Sequence, residues 1–121
     1  MKQLTGLDAS FLYLETPNSP MHISGLAIYT QETAPGGKVR FKQIIESTAA
    51  RISRLPSLTR RLVWVPMGLD HPYWIDDGDF DPEFHIRHVA LPSPGDWRQL
   101  CILVSRIHAR PLDRARPLWE M

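Results

Sequence analysis

Between Arg40 and Leu55 the apolar positions follow a helical spacing. Phe41, Ile44, Ile45, Thr48, Ala49, Ile52 and Leu55 recur every three or four residues, with Lys42, Glu46, Arg51 and Arg54 on the opposite face. One apolar stripe and one charged stripe predict an amphipathic helix over 40–55, which Pro56 ends. A second such pattern runs from Trp97 to Ala109, with Trp97, Leu100, Cys101, Val104 and Ile107 as its buried stripe. Asp96 is its predicted N-cap, and Gln99 stands three residues on, in capping-box position. A shorter helix is predicted to begin after Asp8, with Asp8 as its cap, Leu7 stapled onto Leu12, and Thr16-Pro17 as its stop.

Elsewhere the pattern is that of strands. Residues 21–30, "MHISGLAIYT", are apolar on both faces toward their end, as in an inner strand covered on both sides. Short strands are predicted over 60–66, 72–76 and 85–91, separated by the turn-rich "MGLDHP" and "DDGDFDPE". Pro111 ends the last helix, and "RPLWEM" opens a further strand, where a leading proline is tolerated. The predicted order is α-β-α-β-β-β-α-β, one α/β unit with 11 prolines fixing its turns.

Composition narrows the function classes. With 14 Lys+Arg against 13 Asp+Glu, the net charge of +1 supplies no general pull toward nucleic acid. No apolar run approaches the roughly 20 residues that span a bilayer, and the N-terminus lacks the apolar core of a signal peptide. The single cysteine excludes an internal disulfide and suits a reducing compartment. The expectation is a soluble, cytoplasmic globular protein.

The candidate chemistry is sparse. His85 and His88 fall on opposite faces of a strand, so a shared metal is not expected, and both read as edge or surface residues. His108 closes a helix, where the dipole favours an imidazolium. Asp76, Asp77, Asp79, Asp81 and Glu83 imitate the start of a calcium loop, but Pro82 stands where the turn glycine is needed, so a solvated acidic turn is the better reading. Cys101 reads as core. Trp64, Trp74, Trp97 and Trp119 read as core and rim packing. No P-loop and no nucleophile elbow is present.

The final segment, "ARPLDRARPLWE", resembles the proline-leucine-tryptophan region of the bacterial wax ester synthase/diacylglycerol acyltransferase family. "LTGLDASFLYLETPNSPMHISGLAIY" and "LTRRLVWVPMGLDHPYWIDDGDFDPEFHIRHVALPSPGDWRQL" resemble the family's preceding segments, in the same order. The resemblance implies an α/β fold, a mixed sheet with flanking helices. It would form part of the N-terminal domain of a CoA-dependent, chloramphenicol acetyltransferase-like acyltransferase with its active site in a tunnel between two domains.

The implied reaction moves a fatty acyl group from acyl-CoA, a co-substrate and not a permanently bound cofactor, to diacylglycerol or a long-chain alcohol. The family's His-His-x-x-x-Asp-Gly motif, whose second His is the general base, is missing from these 121 residues. "HPYWIDDG" is the nearest approximation, and its His71 does not take that role. The chain is therefore expected to be an N-terminal segment that stops before the catalytic motif and is inactive alone.

Arg110, Asp113, Arg116, Pro117, Leu118 and Trp119 are the residues expected to carry a family role, by positioning the strand that leads to the catalytic loop. Their structural alternative is simple: Asp113 pairs with Arg110 or Arg116, worth at most about 1 kcal/mol if exposed. The partners expected are the remainder of the protein, or a second copy joined through an open sheet edge. Peripheral contact with a membrane or lipid droplet is implied by the substrates. The rival expectation is a free-standing, non-catalytic module that holds lipid or a partner chain.

Overall fold

The computed structural model describes residues 1–52 and 54–121. Its centre is a small antiparallel sheet of β1 (Lys2–Gln3), β2 (Arg60–Val63) and β3 (Tyr73–Asp76), in the order β1-β3-β2. The register pairs Arg60 with Asp76 and Val63 with Tyr73, and Lys2 with Trp74. Around it lie α1 (Gly6–Leu14), α2 (Phe41–Ile52), the single turn α3 (Pro82–His85) and α4 (Trp97–His108). Leu4, Ala9 and Leu62 form the buried core between α1 and the sheet, with Leu12, Trp74 and Leu118 packed against them. Among the described residues no helix is long and apolar enough to cross a membrane.

α1 starts earlier than the sequence suggests. Thr5 is the N-cap, and Asp8 is the third helical residue that completes the capping box. The Thr5 hydroxyl accepts from Asp8 N–H at 3.1 Å and donates to the Asp8 carboxylate at 2.8 Å. Either residue type can cap a helix; here the reciprocal pair decides for Thr5. Leu7 therefore lies inside the helix, 71% exposed, and the predicted staple is not made.

The strands predicted over 60–66 and 72–76 form over 60–63 and 73–76, the first stopping short of the turn at Pro66, and α4 has the predicted cap and capping box, with Asp96 accepting from Gln99 N–H at 2.8 Å. α2 forms as predicted but ends at Ile52; Ser53, within the predicted span, lies outside the described residues.

Three strand expectations are corrected. Residues 21–30 enter no ladder, because among the described residues no strand lies beside them to take their backbone groups. Residues 85–91 begin instead at the end of α3, where Asp81 caps Glu83 N–H at 2.9 Å and Pro82 takes the first helical position. The "RPLWEM" segment turns locally, yet its last residue behaves as a strand residue. Met121 N–H donates to the His85 carbonyl at 2.7 Å, and Arg87 N–H donates to the Met121 carbonyl at 2.8 Å. That exchange around Ile86 has the pattern of a parallel pair.

The burial expected of α4 is also corrected. Trp97 is 70% exposed and Cys101 is exposed, as the apolar face of this helix has little in front of it. Trp64, 42% exposed, packs at the rim against Tyr13 and under Arg114, as expected, and Trp74 and Trp119 are half-buried.

With so small a core, each buried methyl carries weight. Leu62→Ala is expected to lower unfolding free energy by about 2–5 kcal/mol, whereas the exposed Leu7→Ala changes it by about 0.5 kcal/mol or less. Urea titration followed by circular dichroism separates the two.

Candidate functional site

A cavity of about 620 Å³ opens between α1, residues 21–24, the end of α4 and the segment 110–120. Its apolar wall comes from Leu4, Phe11, Leu12, Trp74 and Leu118. The C-terminal segment forms one side because three groups pin it. Trp119 donates its indole N–H to the Leu58 carbonyl at 2.7 Å. His85, 1% exposed, donates from Nδ1 to the Trp119 carbonyl at 2.7 Å; a carbonyl only accepts, so that nitrogen carries the proton. The two rings stack at 4.5 Å, and the Phe80 ring lies 5.3 Å from the imidazole and 6.3 Å from the indole.

The third pin is Arg114. Its guanidinium donates to the Leu12 carbonyl at 2.8 Å, one of the orphan acceptors at the end of α1. It also donates to Glu15 at 3.0 Å. Glu15 further accepts from Met21 N–H at 3.1 Å, so one carboxylate fastens the start of residues 21–30 to the C-terminal segment. Burial pulls the Glu15 carboxyl upward and is the largest single influence. The Met21 N–H, the Arg114 hydrogen bond and charge, and nearby His22 together outweigh it, and the group lies below its ordinary 4.5.

At the end of α4, His22 donates from Nε2 to the His108 carbonyl at 2.8 Å, closing another orphan helix acceptor. Ser24 Oγ lies 2.7 Å from His108 Nδ1, and the two imidazoles meet edge to face at 4.8 Å. His22 Nδ1 is buried with no hydrogen-bond partner.

The sequence matches the family model described as the wax ester synthase/diacylglycerol acyltransferase catalytic domain over residues 4–121. The chain belongs to this family. It is 41% identical over 119 residues to a probable diacylglycerol O-acyltransferase of Mycobacterium tuberculosis, tgs3, covering 98% of this chain and 43% of the relative. A second probable diacylglycerol O-acyltransferase from that organism, tgs2, is 35% identical over 114 residues, covering 94% of this chain and 25% of its own length. The solved wax ester synthase/diacylglycerol acyltransferase of Marinobacter aquaeolei VT8 superposes with a TM-score of 0.69 at 32% identity, over 99% of this chain and 28% of that one. The acyltransferase fold is thereby shown. The chain spans less than half the length of these relatives.

Within this acyltransferase segment, Arg110, Leu118 and Trp119 line the cavity, while Asp113, Arg116 and Pro117 stand behind it. Asp113 accepts from Ala115 N–H at 2.9 Å and pairs with Arg116 at 3.5 Å, shaping the turn between the two Arg-Pro-Leu copies. Arg116 also covers the Phe84 ring at 3.8 Å. Arg110 instead lies 4.0 Å from Glu120, whose other oxygen meets Arg87 at 3.4 Å. Pro117 is buried.

The remaining candidates resolve locally. His71 Nδ1 meets the Tyr13 hydroxyl at 3.2 Å. His85 is core, not surface, because three aromatic rings and a carbonyl enclose it; His88 is exposed and stacks on Phe41 at 4.7 Å. Asp76 pairs with Arg60 and Asp77 with Arg61 across the sheet end. Among the described residues no three potential metal ligands converge.

Arg114, Glu15, His22 and His85 went unmarked as site-forming residues in the sequence. Arg114 sits between the two Arg-Pro-Leu copies and was the one with a visible signal. The others share no spacing, because their contacts join distant parts of the chain.

Glu15 gives the acid response a definite sign. A carboxyl held below its ordinary value stabilises the fold fully above 4.5, and that contribution is lost as pH falls through the lowered value. Glu15→Gln is expected to be less stable than the parent at neutral pH, with the gap closing below 4.5 in urea titrations. Trp119→Phe keeps a ring on His85 but leaves the Leu58 carbonyl unpaired, and is expected to lower stability by about 1–3 kcal/mol in the same measurement.

Proposed function

We propose that this chain is the N-terminal portion of an O-acyltransferase domain that moves a fatty acyl group from acyl-CoA to diacylglycerol or a long-chain alcohol. The observation that carries this reading is the shared fold with a wax ester synthase/diacylglycerol acyltransferase at 32% identity. In this reading the chain contributes the cavity wall, and the general base comes from a His-His-x-x-x-Asp-Gly motif outside these residues, since the sequence holds no adjacent histidines. An acceptor hydroxyl is unreactive at its own pKa and needs such a base within hydrogen-bond reach before it attacks the thioester. Acyl-CoA is a co-substrate here, and no permanently bound cofactor is invoked.

The role proposed for Arg110, Asp113, Arg116, Pro117, Leu118 and Trp119 is positional. Trp119, held through its indole N–H and its carbonyl, sets the direction in which the chain leaves Met121 beside Ile86. The exposed apolar surface is covered by the remainder of the domain or, without it, by a second copy. The substrates bring the whole enzyme to the periphery of a membrane or lipid droplet.

The isolated chain is expected to transfer no acyl group from acyl-CoA to diacylglycerol or hexadecanol above a no-protein blank. Turnover that His71→Ala abolishes overturns this reading.

The open, largely apolar cavity favours one rival, a free-standing module that holds lipid without reacting it. Coding sequence that continues from Met121 into the His-His-x-x-x-Asp-Gly motif supports the enzyme. A stop codon directly after it, together with hexadecanol binding by the chain alone, supports the module.

A further inference from the structure

From Leu62 to Leu69 the sequence reads "LVWVPMGL", a run without a charge, and Asp70 is the one formal charge between Arg61 and Asp76. The second half of that run lies in the turn between β2 and β3, where polar residues are the rule. Here the turn carries apolar side chains outward. Met67 is 91% exposed, Leu69 77% and Trp64 42%.

The backbone makes this choice more unusual. Pro66 to Leu69 close a tight turn, with Leu69 N–H donating to the Pro66 carbonyl at 3.5 Å. The φ angles are 60° at Met67 and 65° at Gly68. Both central residues are left-handed, as in a type I′ turn, which favours Asn-Gly or Gly-Gly. Met67 is the one non-glycine residue with a positive φ among the described residues. A long apolar side chain neither suits this turn nor packs on the core, so the fold supplies no reason for it.

The turn is firmly mounted. Pro72 behind it is fully buried, and its carbonyl accepts from Leu4 N–H at 2.9 Å. Trp64 lies against Tyr13 of α1, ring centroids 6.2 Å apart, with the Arg114 guanidinium 5.7 Å over its ring. Arg114 also lines the cavity, so the turn is joined to the cavity wall. Moving back from the turn, apolar tips give way to Trp and Tyr rings and then to a cation. Side chains that meet a bilayer follow that order from the acyl boundary outward.

We infer that the turn Pro66–Leu69 is a docking tip for a phospholipid bilayer, with Met67 and Leu69 entering the acyl boundary and Trp64 at headgroup level. The tip specifies the peripheral membrane location proposed above and rests on that reading. A protein partner fits less well on two counts. A stable protein interface takes about 20–30 residues a side, and a convex turn offers a handful. Burial in protein also strands the backbone groups that the turn does not pair, whereas headgroups and water still reach them at a bilayer surface. Asp70 is acidic and Arg114 is engaged with Glu15, so apolar insertion is the driving force and the surface fitted is zwitterionic, such as phosphatidylcholine.

The test is partition of the 121-residue chain onto phosphatidylcholine vesicles, read by flotation. The chain is expected to bind equally between about 0.1 and 1 M salt, over which the screening length falls from about 10 to 3 Å. Met67→Asn combined with Leu69→Ser is expected to weaken partition at least about tenfold. Stability does not fall with it: Met67→Asn raises the urea midpoint, because Asn suits the left-handed position. Trp97→Gln, which removes a 70% exposed ring from α4, leaves partition unchanged. A polarity-sensitive fluorophore at Met67→Cys, in a Cys101→Ser background, shifts to the blue on vesicles, and the same label at Glu32→Cys does not.

Partition untouched by the double variant, or lost equally with Trp97→Gln, overturns the inference and leaves the peripheral location standing. No vesicle binding by the parent removes both. A lowered urea midpoint for Met67→Asn assigns Met67 to packing, and tip-dependent dimers without vesicle binding assign the turn to a second copy; either result overturns the inference. Tip-dependent binding in a protein whose coding sequence never reaches His-His-x-x-x-Asp-Gly spares it and removes the proposed activity.

Discussion

The C-terminal segment holds its place through the Trp119–His85 contact, and much of the structure depends on it. One indole and one imidazole stack at 4.5 Å while each spends its N–H on a backbone carbonyl, Leu58 for the indole and Trp119 itself for the imidazole. Those carbonyls would otherwise be partly buried acceptors without donors, which cost more than a hydrogen bond returns. The stack ties the turn before β2 to the end of α3 and to the last residues of the chain. With Trp119 held, Leu118 reaches the core of Leu4, Ala9 and Leu62, and Met121 lies beside Ile86.

Helix ends form the second layer of this organisation. The free carbonyls at the end of α1 and α4 are met by Arg114 and His22, side chains from remote segments. Closing a helix this way joins it to whatever carries the donor. The cavity is the space enclosed by those joins. Its polar groups, including Glu15, His22 and Arg110, are at its margin because they are engaged in making the wall.

The distribution of apolar surface explains where regular structure succeeds. α1 and the sheet bury each other and close a core. α4 is strongly amphipathic, yet Trp97, Cys101, Ile102 and Ile107 along it remain in contact with solvent. Residues 22–30 follow strand periodicity without strand hydrogen bonds: side-chain alternation is a property of one segment, whereas a ladder needs two.

The sequence by itself determined α1, α2 and α4 with their stops, the strands at 60–63 and 73–76, and the family. Local spacing, proline positions and the Arg-Pro-Leu-Trp order are all written within short stretches. Even the misplacement of the α1 cap was a matter of three residues, since Thr5 and Asp8 act as one reciprocal pair. What only the tertiary structure decided were contacts between distant segments: the burial of His85 under Trp119, Glu15 with Arg114, His22 with His108, and the exposure of Cys101. Burial and ion pairing depend on what arrives from elsewhere in the chain, and no periodicity within one segment encodes that arrival. The strand expected at 21–30 lies between the two cases, because its side-chain alternation is legible in ten residues and its hydrogen-bond partners are not.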